Sequence, residues 1–370
     1  MERGVLVVGE SLVDIVQTLS GHLHEYAGGS AANVAVALAR LGRPTRLATS
    51  FARDHHGAMI AAHLERAGVT LATDPGAVEH TSTARATIGT AGAAEYSFDL
   101  DWRLLPVPDD EDPLVAHTCS LGAVLAPGAD DVLALLTRLR ERATVTYDVN
   151  ARPAVTGTGP ELVATVERMV AVADLVKASD EDLEALYPGR SLADSAAALL
   201  ELGPAAVAVT RGADGALWLD REGPVEIESR PVVVADTIGA GDTFGAGLID
   251  ALWERGRLGA DARAALASLP RAEVTEVLEH AARAAAVTVS RRTDTSWVSP
   301  QVRPLPRPQG WGRGRSGRGV RRRRPRRSRP RPVSSSRSGC RRPRRRRARW
   351  SPGWRVGSRR PTDHAARHDP

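Results

Sequence analysis

Short apolar runs alternate with amphipathic stretches along the first 300 residues. Val5–Gly9 is a continuous apolar run, which is typical of a strand buried on both faces, and Ala31–Leu41 has helical spacing and ends before Gly42. The same criteria predict strands at Leu121–Leu125, Thr144–Val149, Leu175–Ala178 and Ala206–Thr210. They predict helices at Met59–Ala67, Asp130–Arg142, Glu161–Val172, Leu192–Leu202, Gly241–Glu254 and Val274–Val289. This alternation predicts an α/β fold, with a mostly parallel sheet flanked by helices on both faces.

One stretch departs from the alternation. Thr83–Ile88 and Ala94–Leu100 are extended runs separated by the small residues Gly89–Gly92. They predict a β-hairpin, which in an α/β enzyme often serves as a lid over the active site. We therefore expect one domain over residues 1–300, with a small β-lid at about residues 83–100.

The net charge of +6 conceals two parts of opposite charge. Residues 1–300 contain 25 basic and 42 acidic side chains, a net charge of −17, whereas residues 301–370 contain 25 arginines and two aspartates, a net charge of +23. The second part has few apolar residues, and prolines interrupt its arginine blocks. Such a composition cannot form a core, so residues 301–370 are predicted to be a disordered Arg/Pro-rich tail.

Two interpretations of this tail remain open. Phosphate contacts by its arginines would make it a nucleic-acid-binding arm. Alternatively, it is the product of a frameshift. The chain contains one lysine, Lys177, against 49 arginines, which indicates GC-rich coding DNA, and such DNA translated out of frame yields mainly Arg, Pro, Gly, Ser and Ala. We favour the frameshift.

Several protein classes are excluded by simple counts. Two cysteines cannot form a disulfide framework, and no run approaches the roughly 18–20 apolar residues that span a bilayer. The N-terminus has no signal-peptide pattern. We therefore expect a cytoplasmic protein with no membrane partner.

The segment at residues 236–248 is Asp-Thr-Ile-Gly-Ala-Gly-Asp-Thr-Phe-Gly-Ala-Gly-Leu. Its small residues, Gly239, Ala240 and Gly241, allow a tight turn directly before a helix, where backbone N–H groups attract an anion. Asp242 could accept the proton of a hydroxyl that attacks a phosphorus atom. The segment therefore indicates phosphoryl transfer; a glycine-rich helix start capped by an aspartate is the structural alternative.

This segment closely resembles the second signature of the ribokinase-like (PfkB) carbohydrate kinases. Residues 28–35, Gly-Gly-Ser-Ala-Ala-Asn-Val-Ala, resemble the first signature, some 200 residues earlier. The resemblance covers roughly residues 4–291. It implies a three-layer ribokinase-like fold, a β-lid over the sugar, ATP as donor and Mg²⁺ as helper. It also implies that Asp242 is the base and that the amides of residues 239–241 form the anion hole.

The resemblance implies a set of sugar-binding residues. Asp14 matches the acid after the family's first strand, and residues 148–152 resemble an Asp-x-Asn-x-Arg element of fructokinase-like and 2-keto-3-deoxygluconate kinase-like members. The full set is Asp14, Gly28, Gly29, Asn33, Asn150 and Arg152. The structural alternatives are a turn acid for Asp14, a helix-start residue for Asn33 and a surface ion pair for Arg152.

The resemblance also implies a nucleotide site. Residues 210–215 match the Thr-x-Gly-x-x-Gly loop of the family, and residues 177–182 lie where many members carry Asn-x-x-Glu, an element tied to Mg²⁺ and phosphate. The expected nucleotide-binding residues are Lys177, Ser179, Thr210, Gly212 and Gly215. Asp182 is the candidate metal ligand, and a Ser-capped helix start is its structural alternative.

Two positions depart from the family pattern. Ala52 stands where a glycine is expected before Asp54, a harmless change. Residues 291–297, Arg-Arg-Thr-Asp-Thr-Ser-Trp, replace an Arg-x-Gly-Ala-x-Pro-like turn beside the adenine and a monovalent cation site. Adenine affinity and activation by a monovalent cation are therefore the features that the resemblance supports least.

Together these features predict an ATP-dependent sugar kinase that phosphorylates a primary hydroxyl. We also expect a homodimer. Fructose is the favoured substrate, because Asp14, Asn33 and Arg152 resemble those of the fructokinase-like group. The alternatives are 2-keto-3-deoxygluconate, whose carboxylate would suit Arg152, and a nucleoside. A catalytically silent sugar or nucleotide sensor with a nucleic-acid-binding tail is the alternative of another class, and the presence of Asp242 argues against it.

Overall fold

The computed structural model describes residues 3–17, 22–88, 94–108, 112–229 and 238–290. All the described residues belong to one compact unit. The tail at residues 301–370 and the divergent segment at residues 291–297 lie outside the described residues. Within the described part, no helix is both long and apolar enough to cross a membrane.

Strands and helices alternate along most of the described chain. The strands are β1 (Val5–Val8), β2 (Leu12–Gln17), β3 (Leu23–Gly28), β4 (Thr45–Ala48), β5 (Thr70–Leu71), β6 (Thr83–Ile88), β7 (Ala94–Asp99), β8 (Val115–Cys119), β9 (Thr144–Asp148), β10 (Leu175–Ser179), β11 (Ala206–Thr210), β12 (Ala216–Asp220) and β13 (Gly223–Ile227). The helices are α1 (Ser30–Arg40), α2 (His55–Ala67), α3 (Ser120–Val124), α4 (Gly128–Leu139), α5 (Pro153–Thr156), α6 (Pro160–Val172), α7 (Asp180–Leu186), α8 (Leu192–Glu201), α9 (Ala240–Glu254), α10 (Arg263–Leu266) and α11 (Arg271–Val289).

The larger sheet has the strand order β13-β12-β11-β10-β9-β8-β1-β4-β5. Neighbouring strands from β11 to β5 are parallel, whereas β12 and β13 are antiparallel at one edge. Successive residues of β1 point to opposite faces: Val5 and Val7 join a core with α1, α9 and α11, and Leu6 and Val8 join a core with α4, α6 and α8. Helices therefore cover both faces, which confirms the predicted three-layer α/β fold.

The smaller sheet has the strand order β3-β2-β6-β7. It contains the predicted hairpin, since β6 and β7 pair antiparallel with Thr83 opposite Asp99. Strands β2 and β3 were not predicted; β2 pairs antiparallel with β3 and parallel with β6. Only residues 9–11 separate β1 from β2, so the short apolar positions of β2 were not distinguished from the strand before it.

The strand predicted at Leu121–Leu125 is wrong. The strand is β8, and the apolar residues after it form the short helix α3. A short apolar run does not distinguish a buried strand from a buried helix. The polar residues His117 and Thr118 interrupt the apolar pattern of β8. His117 Nδ1 lies 2.9 Å from Thr146 Oγ1, and Thr118 Oγ1 donates to the Val8 carbonyl over 2.8 Å.

The other predicted strands and helices are present, with ends shifted by at most four residues. The largest shift is at α2, which begins at His55 and not at Met59. Asp54 explains the earlier start, because its side chain accepts a hydrogen bond from Gly57 N over 2.7 Å and caps the helix.

Candidate active site

The candidate site lies where several parallel strands end and two helices begin. Strands β1, β9, β10 and β11 have their carboxyl ends at the same edge of the sheet because they are parallel. Helices α1 and α9 pack against each other, and their first turns meet there, as the hydrogen bond from Ser30 to Asp242 shows. The two signature segments, far apart in sequence, therefore converge.

Asp242 lies at the centre of this convergence and is 6% exposed. Its Oδ2 accepts a hydrogen bond from Asn33 Nδ2 over 2.9 Å. Its Oδ1 accepts bonds from Ser30 Oγ over 2.6 Å and from Asn150 Nδ2 over 3.3 Å. The structure thus brings together three predicted site residues, Asp242, Asn33 and Asn150, and adds Ser30.

The first turn of α9 provides an anion-binding helix end. Gly239 precedes it with φ 72°, a left-handed conformation that glycine adopts without strain. The first helical hydrogen bond runs from Thr243 N to Gly239 O over 2.9 Å, so the N–H groups of residues 240–242 precede it and point out of the helix end. This set begins one residue later than the amides of residues 239–241 that the resemblance implies, because Gly239 is the residue that caps the helix. A Cβ on Gly241 would lie 3.0 Å from Lys177 Nζ. An ammonium group therefore lies beside these N–H groups.

Lys177 is held in place by a buried ion pair. It lies opposite Asp148 on the neighbouring strand, and its Nζ donates to Asp148 Oδ2 over 3.0 Å. Burial opposes the charge of Lys177, but the nearby carboxylates of Asp148, Asp182 and Asp242 outweigh it and raise the pKa of the ammonium above its ordinary value. Lys177 therefore stays positively charged.

The smaller sheet contributes Asp14, on β2, and Gly28, on β3. A Cβ on Gly28 would lie 2.5 Å from Asp14 Oδ2, so only glycine leaves room for this carboxylate. Burial raises the pKa of Asp14 to about 6, with Arg152 opposing the shift and Asp242 adding to it. Asp14 is thus close enough to Arg152 and Asp242 to interact with both. A Cβ on Gly29 would lie 2.8 Å from Glu10 O, which explains that glycine by packing.

Arg152 follows β9 and precedes α5. Its Nη1 donates to the carbonyls of Asn150 and Ala151 over 3.2 and 2.9 Å. Asn150 has φ 37°, an uncommon value for a residue other than glycine. The loop is therefore shaped so that Asn150 faces Asp242 while the guanidinium of Arg152 lies near Asp14.

Ser179 and Asp182 form a capping box at the start of α7. Ser179 Oγ accepts from Asp182 N over 3.0 Å, and Asp182 Oδ2 accepts from Ser179 N over 2.7 Å. Asp182 Oδ1 accepts from Ala151 N over 2.7 Å. The Ser-capped helix start, which was the structural alternative for this segment, is therefore present. Asp182 also joins α7 to the loop that carries Asn150 and Arg152.

The loop after β11 contains Thr210, Gly212 and Gly215. A 3-10 turn at Gly212–Asp214 leads into β12. Gly215 has φ 89°, and a Cβ there would lie 2.0 Å from Ile227 O, so packing against β13 alone requires glycine. A Cβ on Gly212 would meet nothing within 4 Å. Thr210 is the last residue of β11, and Gly212 borders open space; their role in nucleotide binding stays a prediction.

Sequence reasoning missed Ser30 and Glu10. Glu10 is buried at the end of β1, where its Oε1 accepts from Ser30 N over 3.2 Å and its Oε2 from Gly122 N over 2.7 Å. Burial raises the pKa of Glu10 to about 7, while these backbone hydrogen bonds oppose the shift. A carboxylate directly after a buried strand was the available signal.

Comparisons with known proteins identify the family of this chain. The model of the pfkB family of carbohydrate kinases matches residues 3–301. A fructokinase from Rhizobium leguminosarum bv. trifolii is 32% identical over 260 residues, which are 67% of this chain and 79% of that protein.

Solved structures of similar proteins share the fold. A fructokinase with bound ATP from Xylella fastidiosa has a TM-score of 0.69 and 26% identity, over 79% of this chain and 94% of that one. A fructokinase double mutant from Vibrio cholerae O395, bound to fructose, ADP and potassium, has a TM-score of 0.61 and 26% identity, over 78% and 93%. With its two signatures meeting at Asp242, this chain belongs to the pfkB family and is a carbohydrate kinase.

Proposed function

We propose that the chain is an ATP-dependent fructokinase that phosphorylates a primary hydroxyl of fructose. The observation that carries the proposal is the convergence of Asn33 and Asn150 on Asp242, beside the N-terminal end of α9 and Lys177. Fructose is favoured because Asp14, Asn33 and Arg152 resemble the fructokinase-like group and because the similar proteins described above are fructokinases.

In the proposed reaction, the sugar hydroxyl oxygen attacks the γ-phosphorus of ATP. The bond between this phosphorus and the β–γ bridging oxygen breaks, ADP leaves, and Asp242 accepts the hydroxyl proton. The N–H groups of residues 240–242 and the ammonium of Lys177 stabilise the negative charge on the transferring group. The chain thus supplies both the base and an electropositive site for the phosphoryl oxygens.

The sugar would lie between the two sheets. Asn33 and Asn150 each use Nδ2 to bind Asp242, which leaves their side-chain oxygens for sugar hydroxyls. Asp14, on the smaller sheet, would accept a hydrogen bond from a sugar hydroxyl, and Arg152 would donate a hydrogen bond to a sugar oxygen. These residue types suit a polyol, which needs both donors and acceptors.

A Mg²⁺ ion fits the charge of the site. Within the described residues no three His, Cys, Asp or Glu side chains form a metal cluster. A kinase needs no such cluster, because Mg²⁺ is bound largely by nucleotide phosphates and water, with one or two carboxylates. Asp148 Oδ1 is buried without a hydrogen-bond partner in the described structure, and Asp182 lies near enough to repel Asp148. Asp182 and Asp148 would hold the ion, which supplies charge neutralisation on the phosphates.

The smaller sheet would act as a lid that excludes water from the sugar site. Deleting residues 89–92, which lie outside the described residues, and rejoining the turn should raise the sugar KM or the rate of ATP hydrolysis without sugar. Unchanged values for both would exclude the lid role. The homodimer, the cytoplasmic location and a monovalent cation site stay predictions.

A second substrate, 2-keto-3-deoxygluconate, is favoured by one observation. Arg152 makes only backbone hydrogen bonds in the described structure, so its guanidinium is free to bind a carboxylate in the bidentate manner. Arg152→Gln should then abolish use of this acid, whereas fructose phosphorylation should fall far less.

A panel of acceptors tests the substrate. ADP release would be measured with fructose, 2-keto-3-deoxygluconate, ribose and a nucleoside, each over a range of concentrations. The proposal predicts that fructose has the highest kcat/KM. A higher value for another acceptor would reassign the substrate, and no stimulation of ADP release by fructose would overturn the fructokinase proposal.

Asp242→Asn tests the base. Removing a positioned general base costs on the order of 10²–10⁴ in rate, so kcat should fall by that factor while fructose and ATP still bind. Asp250→Asn is the matched control, because Asp250 is a buried aspartate on the same helix that pairs with His280 over 2.7 Å, away from the site. Near-full kcat in Asp242→Asn would overturn the mechanism.

A further inference from the structure

Ser30, the first residue of α1, donates a hydrogen bond from Oγ to Asp242 Oδ1 over 2.6 Å and is 7% exposed. We propose that Ser30 is a positioning residue: it occupies one oxygen of the base so that the other, Oδ2, receives the proton of the sugar hydroxyl. The inference rests on the proposed function, in which Asp242 is the base.

The direction of the hydrogen bonds follows from their chemistry. Asn150 Nδ2 can only donate, and it lies 2.8 Å from Ser30 Oγ. Ser30 therefore accepts from Asn150 and gives its single hydroxyl proton to Asp242. The neighbouring Cys119 sulfur is a far weaker acceptor than a carboxylate, so it does not compete for this proton.

The two oxygens of Asp242 are consequently not equivalent. Oδ1 accepts from Ser30 and Asn150, which uses the two acceptor positions of a carboxylate oxygen. Oδ2 accepts from Asn33 alone among the described residues. A Cβ on Gly239 would lie 3.9 Å from Oδ2, so this oxygen is the one beside the anion hole. The vacant acceptor position of the base is therefore next to the expected phosphoryl group.

The main chain of Ser30 is anchored independently of its side chain. Ser30 N donates to Glu10 Oε1, while Glu10 Oε2 accepts from Gly122 N at the start of α3. A Cβ on Gly122 would lie 2.6 Å from Gly9 Cα, so α3 packs tightly against the end of β1. The first turn of α1 is thus attached to β1 and α3. The main chain of Ser30 is therefore held in place, and its hydroxyl reaches Asp242 from that fixed position.

Kinetics of Ser30→Ala, Ser30→Thr and Ser195→Ala test the inference in the full chain. Ser30→Ala should lower kcat about tenfold, the effect of losing one hydrogen bond to a charged group, and should leave the sugar and ATP KM within twofold. Ser30→Thr keeps a hydroxyl and should recover most of kcat. Ser195, a buried serine on α8 that is not among the candidate site residues, should tolerate alanine without loss of kcat. Melting temperatures confirm that each variant is folded.

A double-mutant cycle separates this inference from the proposed function. Because Ser30 acts through Asp242, Ser30→Ala should have no further effect on kcat in an Asp242→Asn background. A tenfold loss in that background as well, or full kcat in Ser30→Ala, would overturn the positioning role while leaving Asp242 as the base. Near-full kcat in Asp242→Asn alone would overturn both.

Discussion

Lys177 donates from Nζ to Asp148 Oδ2 over 3.0 Å, and both side chains are buried. Replacing a buried ion pair by apolar residues is often neutral or stabilising, so stability alone does not account for this pair. The position of the ammonium group accounts for the pair. A Cβ on Gly241 would lie 3.0 Å from Lys177 Nζ, so a fixed positive charge lies at the first turn of α9. Asp148 therefore keeps a cation charged and oriented where a phosphoryl group is expected.

Lys177→Met should separate the two effects of this pair. It removes the charge from the phosphoryl site, so we expect kcat to fall at least 100-fold and the ATP KM to rise. It also leaves Asp148 buried and unpaired, which costs about 3–5 kcal/mol of stability and should lower Tm.

The matched control is Lys177→Met combined with Asp148→Asn. Removing both charges should restore most of Tm but none of kcat. Recovery of kcat in the double variant would mean that the charge of Lys177 has no part in phosphoryl transfer.

The acidity of Asp14 predicts how sugar binding depends on pH. Its pKa is raised to about 6, and only the ionised carboxylate is a full acceptor for sugar hydroxyls. The sugar KM should therefore be constant above pH 7 and rise as the pH falls through 6, by about tenfold at pH 5. Initial rates at saturating ATP across pH 5–8 measure it.

Asp14→Asn gives the comparison for this profile. The amide does not titrate, so the variant should have a higher sugar KM at pH 8 and no further rise toward pH 5. If the acidic rise persists in Asp14→Asn, another group controls sugar binding.

Gly28→Ala should damage the sugar site through Asp14. The added Cβ would lie 2.5 Å from Asp14 Oδ2, closer than any real contact, so the carboxylate must move. We expect about a tenfold rise in the sugar KM, equivalent to one lost hydrogen bond to a charged group, with the ATP KM unchanged. Gly76→Ala is the control, because its Cβ would lie 3.3 Å from Asp74 Oδ1 in an exposed turn. A wild-type sugar KM in Gly28→Ala would show that Asp14 is not a sugar ligand.

Much of this fold and site could be predicted from the sequence, because the relevant signals are local. The small residues before Asp242 and the apolar period of α9 lie in one continuous segment, so the helix end and its aspartate were predictable together. The same holds for the buried strands that carry Asp148 and Lys177. Parallel strands end at one edge, so their polar residues meet there.

Ser30 and Glu10 were not predicted, because their contacts depend on how separate elements pack. Glu10 joins Ser30 to Gly122, and Gly122 is 112 residues later in the chain than Glu10. The direction of the Ser30 hydroxyl depends on Asn150. The strand predicted at Leu121–Leu125 was wrong for a related reason, since its short apolar run suits a buried helix equally well. The position of Glu10 after a buried strand indicated a residue at the sheet edge, but a single sequence does not show which residues it contacts there.

The last helix of the described chain predicts where the kinase can be truncated. Helix α11 buries Val274, Val277, Leu278 and Ala281. A Cβ on Gly247 of α9 would lie 2.8 Å from Ala281 Cα, so the two helices are in close contact. Removing α11 would expose this core, whereas removing residues 301–370, whose composition predicts disorder, should leave the core intact.

A chain that ends at Pro300 should therefore keep the Tm and kcat of the full chain, whereas one that ends before Arg271 should not fold. A nucleic-acid-binding arm would give the full chain DNA binding that weakens steeply with salt and disappears in the shorter chain. A frameshift predicts instead that another reading frame near codons 292–300 encodes a Gly-Ala turn or an ending without the arginine excess. DNA binding together with an intact frame would establish the arm and overturn the interpretation we favour. Loss of Tm on truncation at Pro300 would contradict both, because residues 301–370 would then belong to the folded domain.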